Sequence, residues 1–112
     1  ENYEAMKNSY KVIGSGMVTD LEIKLDELDS KINLPPSFIL PGASPGSASL
    51  DLARTALRES ERRILDMQDL GHLVNKEILP YINRLSDLLF MLARYEDRDL
   101  PDELITGQKN DE

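Results

Sequence analysis

Between Asn33 and Ala48 the chain carries four prolines and two glycines, and no regular element can run through that stretch. Pro35 and Pro36 stop any helix approaching from the N-terminal side, because the ring removes an N–H and restricts the residue before it. On either side of this break, apolar residues recur every three or four positions, the spacing of one helix face. The chain is therefore restricted to helices joined by a stiff, sharply turned loop. The loop's centre, Phe38-Ile39-Leu40, is apolar and must cap a core or line a pocket.

The stripe before the break is Val18, Leu21, Leu25, Leu28 and Ile32. Thr19 with Glu22 three residues later reads as its capping box. A second helix is expected from Ser49 to Gln68, capped by Ser47 or Ser49. Its apolar stripe reads as Leu50, Ala53, Leu57, Ser60 and Ile64, with Asp51, Arg54, Arg58, Glu61 and Leu65 on a neighbouring face. After a turn through Gly71 and His72, a third helix is expected from Asn75 to Asp97. There Ile78, Ile82, Leu85, Leu89 and Leu92 follow a heptad-like spacing, and Asn83, Asp87, Met91 and Arg94 form a second face. Pro80 sits near the end of the first turn, where a missing N–H costs little. No strand pattern or repeat is present, so the fold class is all-α, an antiparallel helical bundle. Three parts are expected: a connecting segment over 1–16, the helical part over 17–98, and a frayed acidic tail over 99–112.

Composition removes several functions. The net charge is −8 over 112 residues, which argues against a nucleic-acid partner, since phosphate backbones need outward clusters of Lys and Arg. Residues 96–112 hold seven acids against Arg98 and Lys109, so most of the excess lies in that stretch and an anionic ligand can still bind elsewhere. There is no cysteine and one histidine, His72, so no protein-held metal site is expected. No apolar run reaches the roughly 20 residues that span a bilayer, and no membrane partner is expected. The first residue is Glu1, within polar sequence, and the chain reads as a piece of something longer.

Arg54 and Arg58 stand one helical turn apart, and like charges at that spacing repel by about 0.2–0.5 kcal/mol. Asp51 and Glu61 on the same face relieve that cost if the face is simply solvated. The alternative is a polyphosphate site, because guanidinium forks bind phosphate oxygens in pairs. Composition alone leaves both open. Asn83, Arg84 and Asp87 equally suit a surface network, and Phe38 equally suits a core plug.

The order of three segments adds more. Phe38-Ile39-Leu40-Pro41-Gly42-Ala43-Ser44, then Leu52 to Arg63 with Ala53-Arg54-Thr55 and Arg58, then Asn83-Arg84-Leu85-Ser86-Asp87 through Ala93-Arg94-Tyr95 resemble the PduO-type ATP:cob(I)alamin adenosyltransferases. The resemblance spans roughly residues 17–98, and it implies part of a five-helix bundle that assembles as a homotrimer with active sites between subunits. The implied reaction moves the 5′-deoxyadenosyl group of ATP onto cob(I)alamin and releases triphosphate. ATP, Mg²⁺ and cobalamin are then its ligands, and the implied location is cytoplasmic, or mitochondrial in a eukaryote.

Carried over by position, Phe38 packs under the corrin ring. Arg54 matches an arginine in an intersubunit ion pair, and Arg54, Arg58 and Asn83 make up the catalytic set. Arg58, Glu61 and Asn83 fall in the ATP site, with Arg84 and Asp87 a supporting network. The chain departs from the pattern at Ala43, Asp51, Glu59, Ser60 and Asp97. Asp51 and Glu59 remove positive character near the implied site. The family's glycine-containing N-terminal segment, which wraps the triphosphate, is not in these residues. The alternative reading is a non-catalytic corrinoid- or ATP-binding relative used for carriage, sensing or oligomeric assembly.

Overall fold

The computed structural model describes residues 4, 12–32, 34 and 39–107. Four helices follow within 12–107: α1, Ser15–Asp29; α2, Pro45–Asp69; α3, Ile78–Glu96; and α4, Asp102–Thr106. No strand occurs among the described residues, as the sequence requires. Phe38 lies outside them.

The helix boundaries correct the sequence reading at each N-terminus. α1 begins at Ser15 behind Gly14, with no side-chain cap. Thr19 is already inside it, donating its hydroxyl to the Ser15 carbonyl at 3.2 Å, so Thr19 and Glu22 form no capping box. α2 starts four residues earlier than expected. Ser44 is its cap, its hydroxyl oxygen accepting the Ser47 N–H; Pro45 takes the first helical position, and the Ser47 hydroxyl oxygen accepts the Ser44 N–H in return. Proline suits that place because its missing N–H would have no helical partner there. Ser47 therefore closes a reciprocal box instead of capping alone. α3 begins at Ile78, and Asn75 stands before it, accepting from the Glu77 N–H through its side chain at 2.9 Å. The segment read as a frayed tail contains α4, whose Ile105 is buried.

α3 runs between α1 and α2 and packs on both, while α1 and α2 do not approach each other. Asp51 meets Arg94 and Glu61 meets Asn83, so α2 runs antiparallel to α3. Asn75 donates to the Ile13 carbonyl at the start of α1, and Leu25, Asp26 and Asp29 near its end lie over Asp87 to Met91, so α1 runs parallel to α3. The topology is up, down, up. Being flanked on both sides, α3 keeps its heptad residues Ile78, Ile82, Leu85, Leu89 and Leu92 half-buried all round. Its most buried residues are instead Ser86, Ala93 and Arg94.

The apolar face of α2 differs from the expected one. Leu50, Leu57 and Ile64 turn inward as read, but Ala53 and Ser60 are exposed, and Asp51, Arg54 and Glu61 take the half-buried positions instead. Leu52, at 72% exposure, and Leu70, at 70%, face away from the bundle. Among the described residues the buried apolar set is small: Val18, Leu21, Ala93 and Ile105.

α2 ends in a Schellman turn. The His72 N–H reaches the Met67 carbonyl at 2.8 Å and the Gly71 N–H reaches Gln68 at 3.0 Å, with Gly71 at φ 77°. An added Cβ at Gly71 meets nothing within 4 Å, so Gly71→Ala carries a purely conformational cost. It is expected to destabilise by about 1–2 kcal/mol in urea unfolding, with Gly71→Asn milder. An Ala variant as stable as the parent would show that the turn relaxes.

Candidate functional site

Three groups of polar residues line the α2–α3 seam. At its upper end Arg94 of α3 is buried and donates from Nη2 to Asp51 Oδ2 at 2.7 Å; the two side chains are 3% and 14% exposed. The same Asp51 oxygen accepts the Gly42 N–H at 3.0 Å. One turn further, Ser44 donates to the buried carboxylate of Asp97 at 2.5 Å. The loop before α2 is thereby tied to the starts and ends of two helices.

Phe90 occupies the middle of the seam. The Arg94 guanidinium stands 4.8 Å from its ring centroid and that of Arg54 5.2 Å, both within cation–π range. The Nε atoms of Arg54 and Arg94 are buried without a hydrogen-bond partner among the described residues. Arg54 also walls a cleft of about 380 Å³ between α1 and α2, floored by Asp87, Phe90 and Met91. The cleft exists because α1 and α2 are held apart by α3.

Lower down, Asn83 donates to Glu61 Oε2 at 3.4 Å and accepts from Arg84 Nη2 at 2.7 Å; Arg84 continues to Asp87 at 3.4 Å. Glu61, Asn83, Arg84 and Asp87, all singled out from sequence, thus form one connected polar chain across α2 and α3. Arg58 lies on the outer side of α2, exposed, and holds no ion pair among the described residues. The structure does not gather Arg58 into that chain, but leaves it open to a ligand.

Two departures from the family pattern acquire distinct meanings. Asp51 does not place a free negative charge beside the site, because Arg94 and the Gly42 amide engage it. Glu59 is a surface residue paired with Arg63 at 3.4 Å. Arg94, Asp97, Ser44 and Phe90 were not among the candidate site residues. A signal for Arg94 exists in the sequence: it stands one turn after Phe90 as the single charged residue in the run from Leu88 to Tyr95, where a cation needs a partner. Among the described residues no three His, Asp or Glu side chains converge as a metal site, and no helix is long and apolar enough to cross a membrane.

Comparison with known proteins gives a consistent outcome. The sequence model of the family described as Cobalamin adenosyltransferase matches residues 1–96. The chain is 38% identical over 89 residues to the corrinoid adenosyltransferase PduO of Salmonella typhimurium, covering 80% of this chain and 26% of that protein. It is 40% identical over 89 residues to the corrinoid adenosyltransferase of Mycobacterium tuberculosis, covering 78% and 46%. It is 34% identical over 86 residues to the human corrinoid adenosyltransferase MMAB, covering 77% and 34%. Among solved structures it is similar to a variant PduO-type ATP:corrinoid adenosyltransferase from Lactobacillus reuteri complexed with cobalamin and ATP. That likeness has a TM-score of 0.70 at 30% identity, over 87% of this chain and 50% of the other. The chain spans about half the length, or less, of the relatives it matches.

Proposed function

Because this chain belongs to the cobalamin adenosyltransferase family, we propose that it forms the α2–α3 half of a corrinoid adenosyltransferase site, working on ATP and cob(I)alamin in the cytoplasm. The observation that carries the reading is the likeness, over 87% of the chain, to a structure complexed with both cobalamin and ATP. In the proposed reaction the cobalt of cob(I)alamin forms a bond to C5′ of ATP while the C5′–O bond breaks and triphosphate leaves with the electron pair. The nucleophile belongs to the corrinoid, so the protein's work is orientation and charge stabilisation.

Arg58 is suited to the triphosphate because its side chain is exposed and holds no ion pair among the described residues. Asn83 is held between Glu61 and Arg84, and a residue held from both sides loses little freedom on contacting a ligand. Arg84 and Asp87 extend that support away from the ligand. Mg²⁺ enters this reading as an ion carried mainly by triphosphate and water oxygens. Phe38 is assigned to the corrin lower face. The outward Leu52, Leu65, Leu70 and Val74 suit a surface that is covered in a homotrimer, which sedimentation of the full-length protein would test.

Full-length protein incubated with ATP, Mg²⁺ and strictly reduced cobalamin is expected to convert the corrinoid spectrum to that of adenosylcobalamin. Absence of conversion would overturn the enzymatic reading. Binding of both ligands without conversion would establish a non-catalytic carrier instead.

A further inference from the structure

Asn83 stands between two partners of opposite hydrogen-bonding capacity. Its Nδ2 donates to Glu61 Oε2 at 3.4 Å, and its Oδ1 accepts from Arg84 Nη2 at 2.7 Å. A carboxylate can only accept and a guanidinium can only donate. A flipped amide would set oxygen against the Glu61 carboxylate and nitrogen against the Arg84 guanidinium, losing both bonds. The neighbours therefore leave Asn83 one orientation. In that orientation the second Nδ2 hydrogen has no acceptor among the described residues, and the side chain is exposed.

Adjacent side chains on a helix diverge by about 100°, so contact between Arg84 and Asn83 needs a cause. Asp87 supplies it. It follows Asn83 by four residues and Arg84 by three, and its direction from the helix axis falls between theirs one turn on. Arg84 Nη1 reaches Asp87 Oδ2 at 3.4 Å while Nη2 reaches Asn83. The attraction of Asp87 thus turns the guanidinium toward the Asn83 amide, and one fork holds both neighbours.

We propose that Arg84 is a positioning residue for ATP: with Glu61 it locks the Asn83 amide so that Asn83 meets a phosphate oxygen as a hydrogen-bond donor. The proposal rests on the ATP assignment of Asn83. The free N–H can engage only an acceptor, and an anionic phosphate oxygen is the strongest that ATP offers. The cation at Oδ1 draws electron density from the amide nitrogen and strengthens that donor. Glu61 in this arrangement holds Asn83 without touching ATP, where its negative charge would oppose the triphosphate.

The test measures the Kd for ATP by calorimetry on the full-length protein, without corrinoid. Arg84 and Asp87 are 41% and 46% exposed, so their variants should fold. Asn83→Ala is expected to weaken ATP binding about tenfold, the effect of losing one hydrogen bond to a charged group. Arg84→Ala should weaken it about fivefold. The double variant should stay at about tenfold, because Arg84 has nothing to act on once the amide is gone. Losses that multiply would show Arg84 acting on the triphosphate through its own charge, and would overturn the proposal. Asp87→Ala separates the two by sign. Releasing Arg84 should weaken ATP binding about threefold, whereas tighter binding, the effect of removing a negative charge, would also overturn it. The Asn83 side-chain amide resonance gives a readout without ATP: it should move toward that of a free asparagine in Arg84→Ala, and a parent resonance already there overturns the lock. Multiplying losses in a protein that forms adenosylcobalamin would fail the proposal alone. The expected pattern without adenosylcobalamin would fail the enzymatic reading alone.

Discussion

Replacing Arg94 with alanine is expected to destabilise the protein by about 3–5 kcal/mol, the largest stability loss of any exchange considered for this chain. Arg94 is 4% exposed, and its side chain pairs with Asp51, which is itself mostly shielded from water. Two ions brought out of water are held by their mutual attraction. Removal of one leaves the other with its desolvation cost and only the Gly42 amide to offset it. The Phe90 face beside the guanidinium would lose its packing partner as well. Arg63→Ala is the informative control. Its pair with Glu59 is 3.4 Å long with both side chains more than half exposed, and should contribute less than about 0.5 kcal/mol. Urea unfolding of the two variants should separate them clearly, and near-equal effects would show that Arg94 is hydrated in solution.

The largest expected effect on activity is at Arg58. A guanidinium that forms two parallel hydrogen bonds to phosphate contributes through charge and through its fork geometry, so Arg58→Ala should lower kcat/KM for ATP by about a hundredfold. Arg58→Lys keeps the charge without the fork and should fall between. Stability should move by less than about 0.5 kcal/mol, because Arg58 is exposed and supports nothing else among the described residues. Unchanged steady-state kinetics in Arg58→Ala would remove the triphosphate assignment while leaving Asn83 and Glu61 in place.

The contrast between Arg58 and Arg94 shows how much of this site could be read from residue order. Arg58, Glu61, Asn83, Arg84 and Asp87 were legible because they recur in a recognisable order, and four of them do meet across α2 and α3. Arg94 was visible only as one of four residues on a helix face. Its burial depends on the partner that the fold delivers from 43 positions away. The partner of Asp51 was hidden for the same reason. On a helical wheel Asp51 is a negative charge near two arginines. In the folded chain its charge is turned to Arg94 and its free lone pair to a loop amide.

Local periodicity by itself determined that three longer helices exist, one through Val18 to Leu28 and two near 49–68 and 75–97, because amphipathic spacing and proline exclusion act within a few residues of each other; their N-terminal ends at Ser15, Pro45 and Ile78 came from the structure. It also required a break between the first two. Tertiary structure decided which face of α2 turns inward, placing Asp51, Arg54 and Glu61 there and leaving Ala53 and Ser60 outside. Hydrophobicity alone favours Ala53 over a charged residue at the inner positions. Contacts across the seam override it, since Asp51 meets Arg94, Arg54 lies over the Phe90 ring and Glu61 accepts from Asn83, and those meetings depend on packing register.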